Sequence, residues 1–172
     1  MVLLLAGIAF LVTVMILFSL GRINFGSFFR SEKQVEILKQ TEPSSGINEL
    51  YLDLSSTDVQ IVPSDAEEIT VTYKGPESKK NDPDVTIEKE DGKLKVIQEK
   101  MDILSWFSWN FTQRLIVIEV PASYIGDLDV INKSGNLTID GNYTFKSYHS
   151  DITSGDVSID SMNTADFTMS NT

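Results

Sequence analysis

The sequence predicts a mainly β protein: a parallel β-solenoid of the β-helix type, with rungs of about twenty residues, preceded by one N-terminal transmembrane helix. Three observations predict it. First, a block recurs near the C-terminus. Leu128-Asp129-Val130-Ile131-Asn132-Lys133-Ser134-Gly135-Asn136-Leu137-Thr138-Ile139-Asp140 is one copy, and Ser154-Gly155-Asp156-Val157-Ser158-Ile159-Asp160 repeats its second half. Phe167 to Thr172 reads as the opening of a third copy. Second, from Ile47 onward apolar residues alternate with polar ones, which is the period of a strand with one buried face. Third, Val2 to Leu20 contains no charged residue.

That apolar run would span roughly 28 Å as a helix, close to the hydrocarbon thickness of a bilayer. A cleaved signal peptide would have a shorter apolar core, a basic stretch before it and a small-residue site after it. None of these is present, and without cysteine there is no site for lipid attachment. Residues 1–21 are therefore expected to be a single-pass anchor, with residues 2–20 in the lipid bilayer. Residues 22–46 read as a juxtamembrane linker. Its aromatics Phe25, Phe28 and Phe29 suit the headgroup layer. Lys33 to Gln40 could form a short helix, which Pro43-Ser44-Ser45-Gly46 would break.

The β domain is expected over 47–172. Leu50, Leu52 and Leu54 share one face of a strand, and Val59 and Ile61 continue the pattern, followed by Ile69, Val71 and Tyr73. Pro63-Ser64-Asp65 and Lys74-Gly75-Pro76 read as turns. Asp91-Gly92 between two alternating runs, Val85–Ile87 and Leu94–Gln98, signals a hairpin. Leu115 to Val120 is apolar at nearly every position, so a strand covered on both faces is expected. In the repeats, Leu128, Val130, Leu137, Ile139, Val157 and Ile159 would stack into a continuous core. Ser134-Gly135 and Ser154-Gly155 would make the corners. Leu50 to Ile61 has the same grammar, with Thr57 in the glycine position, and reads as a modified early rung.

The order of a membrane helix, an opening pair LDLSSTDVQIV, a hairpin region, a strand ending in Val120-Pro121 and Ser-Gly-Asp/Asn rungs resembles the adhesin-like domain family DUF4097. The resemblance covers residues 47–172, and Ser154-Gly155-Asp156-Val157-Ser158-Ile159 is its most specific piece. Membrane-anchored members include the LiaG-type envelope proteins. The resemblance implies a parallel β-solenoid and a role at the bacterial cell envelope, often linked to envelope stress. It implies no established chemistry.

Charge narrows the partners. All 25 acidic residues lie beyond residue 31, and of the 14 Lys and Arg two, Arg22 and Arg30, precede it. Such a domain repels nucleic acid and anionic lipid, and favours cations and basic peptides. Arg22, Arg30 and Lys33 follow the apolar run, and the positive-inside rule taken alone would place the domain in the cytoplasm. The family resemblance points the other way, to an extracytoplasmic domain on a single-pass protein of the cell membrane.

A search for catalytic groups gives no catalytic residue, no cofactor site and no metal site. His149 is the sole histidine and is expected in a solvated repeat turn. Without cysteine there is no thiol chemistry, and no glycine-rich phosphate loop appears. Asp140 and Asp160 occupy equivalent rung positions, as do Asn136 and Asp156. Stacked carboxylates could hold calcium, but the Gly-Gly-x-Gly-x-Asp pattern is missing and turn capping explains them better.

The candidate interaction surface is the aromatic stretch Met101 to Phe111, with Trp106, Phe107, Trp109 and Phe111. It could cap the end of the solenoid, dip into a membrane surface, or offer rings to a glycan or peptide. Asn-x-Ser/Thr triplets at Asn110, Asn132, Asn136 and Asn142 are expected by chance in such corners.

The leading expectation is a non-enzymatic binding or scaffold protein of the envelope, acting in cell-wall or membrane stress, with an envelope glycan, lipid or peptide as ligand. The alternatives are a polysaccharide enzyme using the stacked Asp residues, and a reader of lipid or antimicrobial peptide through the tryptophans. The copies also lead one to expect another Ser-Gly corner at residue 171, so further rungs are anticipated beyond residue 172.

Overall fold

The computed structural model describes residues 33–99 and 113–172. Ten strands follow one another: β1 (Gln34–Pro43), β2 (Glu49–Leu54), β3 (Asp58–Ser64), β4 (Glu68–Pro76), β5 (Val85–Glu90), β6 (Lys93–Gln98), β7 (Leu115–Pro121), β8 (Asp127–Asn132), β9 (Leu137–Ile152) and β10 (Val157–Asn171). They form one continuous sheet, because β9 and β10 each run from one side of the rung to the next.

The sheet has two main sides. On one, β6, β2, β8, the second half of β9 and the end of β10 run parallel. Their inward residues stack in register as Leu94, Leu50, Leu128, Tyr148 and Phe167. On the other side β7, β3, the first half of β9 and the start of β10 stack Ile116, Val59, Leu137 and Val157, then Ile118, Ile61, Ile139 and Ile159. Alternation explains both rows, since a period-two pattern sends every second side chain inward. Leu52, Ile61, Ile118, Val130 and Ile139 are fully buried. Burial of each contributes about 1.5–3 kcal/mol.

The order of the rungs is not the order of the chain. The rung made by β6 and β7 lies on one side of the β2–β3 rung, and the β8–β9 rung lies on the other. Antiparallel strands finish the β6–β7 end: β4 pairs β7, β1 pairs β4, and β5 pairs β6.

The corners follow from sequence. Gly135 and Gly155 hold φ of +131° and +145°. A Cβ on Gly135 would stand 2.4 Å from the Thr57 carbonyl oxygen, and one on Gly155 would stand 2.1 Å from that of Gly135. Glycine is required there by stacking as well as by φ. Side chains tie the corners together: Asp58 Oδ1 accepts the Asn136 N–H at 2.8 Å, and Asn136 Oδ1 accepts the Asp156 N–H at 2.9 Å. The rung that has Thr57 is pinned from both sides. Gln98 Oε1 accepts from the Ser55 and Ser56 N–H groups and from the Thr57 hydroxyl, and Asn132 donates to the Thr57 carbonyl.

Several expectations are corrected. Lys33 to Gln40 is not a helix; residues 34–43 are a strand, and β1 belongs to the same sheet as the rest. Leu115 to Val120 is covered on one face only, with Leu115, Val117 and Glu119 half-buried on the other. Lys74-Gly75-Pro76 continues β4, and a short 3₁₀ turn follows it at Glu77–Lys79. Pro63 and Ser64 close β3, with the bend after them. The Asp91-Gly92 hairpin is present, with positive φ at both residues. Among the described residues no helix is long and apolar enough to cross a membrane; residues 2–20 lie outside them.

Candidate functional site

The described residues place a row of chemically varied side chains on the outer face of the β6–β2–β8–β9 side. Register aligns Lys95, Tyr51, Asp129, His149 and Thr168 on successive strands, each roughly 4.8 Å from the next. Strand alternation puts them outside, because their neighbours Leu50, Leu128 and Tyr148 point in. Asp53 and Asp151 stand two residues along β2 and β9. Glu49, paired with Lys93 at 2.7 Å, and Asp127 stand two residues back on β2 and β8.

Asp129 is the centre of this row. Its Oδ1 is enclosed, yet meets no donor among the described residues. Burial raises its pKa above 3.8, while His149 pulls it down. The neighbouring Tyr51 phenol is raised by burial first, then by Asp53 and Asp129. His149 is solvent-exposed. It lies within β9, so the expected turn position is corrected: it points out of a strand beside a carboxylate. The row therefore offers a phenol, a carboxylate and an imidazole side by side on the outer face, a set suited to hydrogen bonding a polar ligand. Alternation in each strand was readable, but the pairing of β2 with β8 across the chain was not.

The other candidates are placed as follows. Asp140 Oδ2 accepts from the Gln60 amide at 2.8 Å, and Asp160 Oδ2 accepts the Gly141 N–H at 3.1 Å. Both are engaged as capping and cross-rung acceptors. No group of three or more His, Cys, Asp or Glu fit to hold a metal occurs among the described residues. Asn136 holds Asp156 in the corner ladder. Asn132 is buried, Asn142 is exposed, and Asn110 lies outside the described residues. Trp106, Phe107, Trp109 and Phe111 also lie outside them.

A second polar cluster secures the end of the β6–β7 rung. The buried Tyr73 hydroxyl donates to Asp84 Oδ1 at 2.6 Å, and Arg114 Nε donates to Asp84 Oδ2 at 3.0 Å. Burial and then the hydrogen bond to Asp84 push the Tyr73 phenol far up. Both Asp84 carboxylate oxygens are engaged by these two donors, so the work of the cluster is structural.

The model of the Toastrack DUF4097 family matches residues 47–172. Among solved structures, one from Bacteroides fragilis, described as a "putative adhesin", aligns with TM-score 0.53 at 15% identity, covering 82% of this chain and 59% of that one. A similarly described protein from Parabacteroides distasonis aligns with TM-score 0.41 at 13% identity, over 81% of this chain and 66% of that one. A structure described as a lipid binding protein of the same species gives TM-score 0.39 at 11% identity, over 78% and 62%. The chain thus spans about three fifths to two thirds of the length of those proteins. At 15% identity the Bacteroides match speaks to the fold alone. No curated protein matches the sequence.

Proposed function

The chain belongs to the Toastrack DUF4097 family, and from that premise we propose that it is a non-enzymatic binding or scaffold protein of the bacterial cell envelope. It is held in the membrane by residues 2–20, carries its β domain outside the cytoplasm, and serves the response to cell-wall or membrane stress. The observation that carries the binding reading is the outward row of Tyr51, Asp129 and His149 on adjacent strands. A rigid sheet leaves little backbone entropy to lose on binding, which favours recognition of an extended ligand across the strands. Asp140 and Asp160, the stacked carboxylates that a polysaccharide enzyme would use, are each occupied by a structural hydrogen bond, which disfavours an enzyme built on them.

Two experiments test the proposal. Protease added to intact cells should degrade the β domain; protection until the membrane is broken would contradict the extracytoplasmic placement. Full-length protein in detergent should bind isolated envelope fragments saturably. Linear, unsaturable retention equal to that of an unrelated acidic protein would defeat the binding reading.

A further inference from the structure

At the end finished by antiparallel strands, the hydrophobic core reaches the surface. β1 is the outermost strand of one side and β5 of the other. Between them lies a cleft of about 310 Å³, walled by Leu38, Pro83, Val85 and Ile87, with Lys39 and Gln40 on the β1 wall. Leu38 and Ile87 pack directly on the core. A register shift between Glu36 and Leu38 in β1 lets Ile37 and Leu38 both turn toward apolar surroundings. Gln40 donates to Glu42, and Glu42 pairs with Lys89 at 3.3 Å, an ion pair that links the two strands beyond the apolar stretch. Lys39 is exposed and forms no ion pair among the described residues.

These features select the occupant. An added peptide strand is discouraged on both edges by charge, since β1 carries Glu36, Lys39 and Glu42 and β5 carries Glu88, Lys89 and Glu90. A hydrocarbon chain needs no hydrogen-bond partner, and the volume is at the lower limit for small-ligand sites. The acidic field of the domain opposes anions at large, but Lys39 is the one charged residue lining the cleft, and its ammonium is locally complementary to a negative head. We propose that this cleft binds the alkyl chain of a single-chain amphiphile, with an anionic head at Lys39. The proposal stands apart from the outer row and from the placement of residues 2–20.

Full-length protein in phosphatidylcholine nanodiscs, labelled with a photoreactive dodecanoate, tests it. Mass spectrometry should find the label in peptides covering 34–43 and 83–90. Excess dodecanoate should compete it away, and Ile87→Trp, which fills the cleft, should abolish it. Lys39→Glu, an exposed change that leaves packing intact, should weaken labelling by dodecanoate several-fold while a photoreactive dodecanol is unaffected. Labelling that dodecanoate does not displace, or that persists unchanged in a folded Ile87→Trp protein, would overturn the cleft. Equal loss of both probes in Lys39→Glu, or loss of neither, would overturn the anionic head. Should Ile87→Trp fail to fold, displacement by dodecanoate and the Lys39→Glu contrast still decide the matter.

Discussion

At the scale of single residues, the molecule depends on a few positions that tolerate no substitute. Gly135 combines φ of +131° with a Thr57 oxygen 2.4 Å from where a Cβ would sit. Gly135→Ala should therefore cost more than about 2 kcal/mol in urea unfolding. Asp84 is another such position. Asp84→Ala leaves the Tyr73 hydroxyl and the Arg114 guanidinium without their acceptor in a buried site, and about 3 kcal/mol should be lost. Asp129 behaves in the opposite sense. Its folded-state pKa is raised above 3.8, so the folded protein binds the proton more tightly than the unfolded chain, and stability falls as pH rises through that window. Asp129→Asn should then be more stable than the parent at neutral pH. The difference should vanish below the unfolded value, where both side chains are neutral. Urea midpoints measured at both pH values check this, and a variant less stable at neutral pH would contradict the account.

At the scale of elements, legibility in the sequence tracks how local the determining contacts are. The Asp91-Gly92 hairpin is specified by two adjacent residues with positive φ, and it was readable. The Ser-Gly corners were readable for the same reason. β1 was not: Val35, Ile37 and Leu38 interrupt alternation with a bulge, which makes a short helix look plausible until β4 supplies its partner. Asp129 and Tyr51 form one row only because β2 and β8 pair, and no local signal announces pairing between strands so distant in the chain. The aromatic stretch stands out in the sequence by composition alone, and the row does not, because Asp, Tyr and His are ordinary outward strand residues. Gln98 is similarly inconspicuous. Its Oε1 gathers three donors from Ser55, Ser56 and Thr57, so Gln98→Ala should lose about 2–3 kcal/mol, read from denaturant midpoints. A loss under about 0.5 kcal/mol would show that the corner does not depend on it.

At the scale of the whole molecule, stability is passed from rung to rung. The β2–β3 rung is covered on both sides, by β6–β7 and by β8–β9, and its amides should exchange slowest. β10 pairs only β9 among the described residues, and its side chains are mostly exposed, Phe167 at 52% and Met169 at 48%. In a protein of these 172 residues its amides should exchange faster than those of the β2–β3 rung. Uniform protection along the stack would contradict this gradient. The same rigid stacking underlies the function proposed for the outer row, because a flat register of side chains is only as precise as the rungs beneath it. The most direct test compares the two outer faces of the full-length protein in sedimentation with isolated envelope fragments. Tyr51→Ala, Asp129→Asn and His149→Ala combined should reduce binding by about tenfold or more, while Thr70→Ala and Thr138→Ala on the other side leave it unchanged. Equal retention by the two folded variants would contradict the assignment of binding to that row.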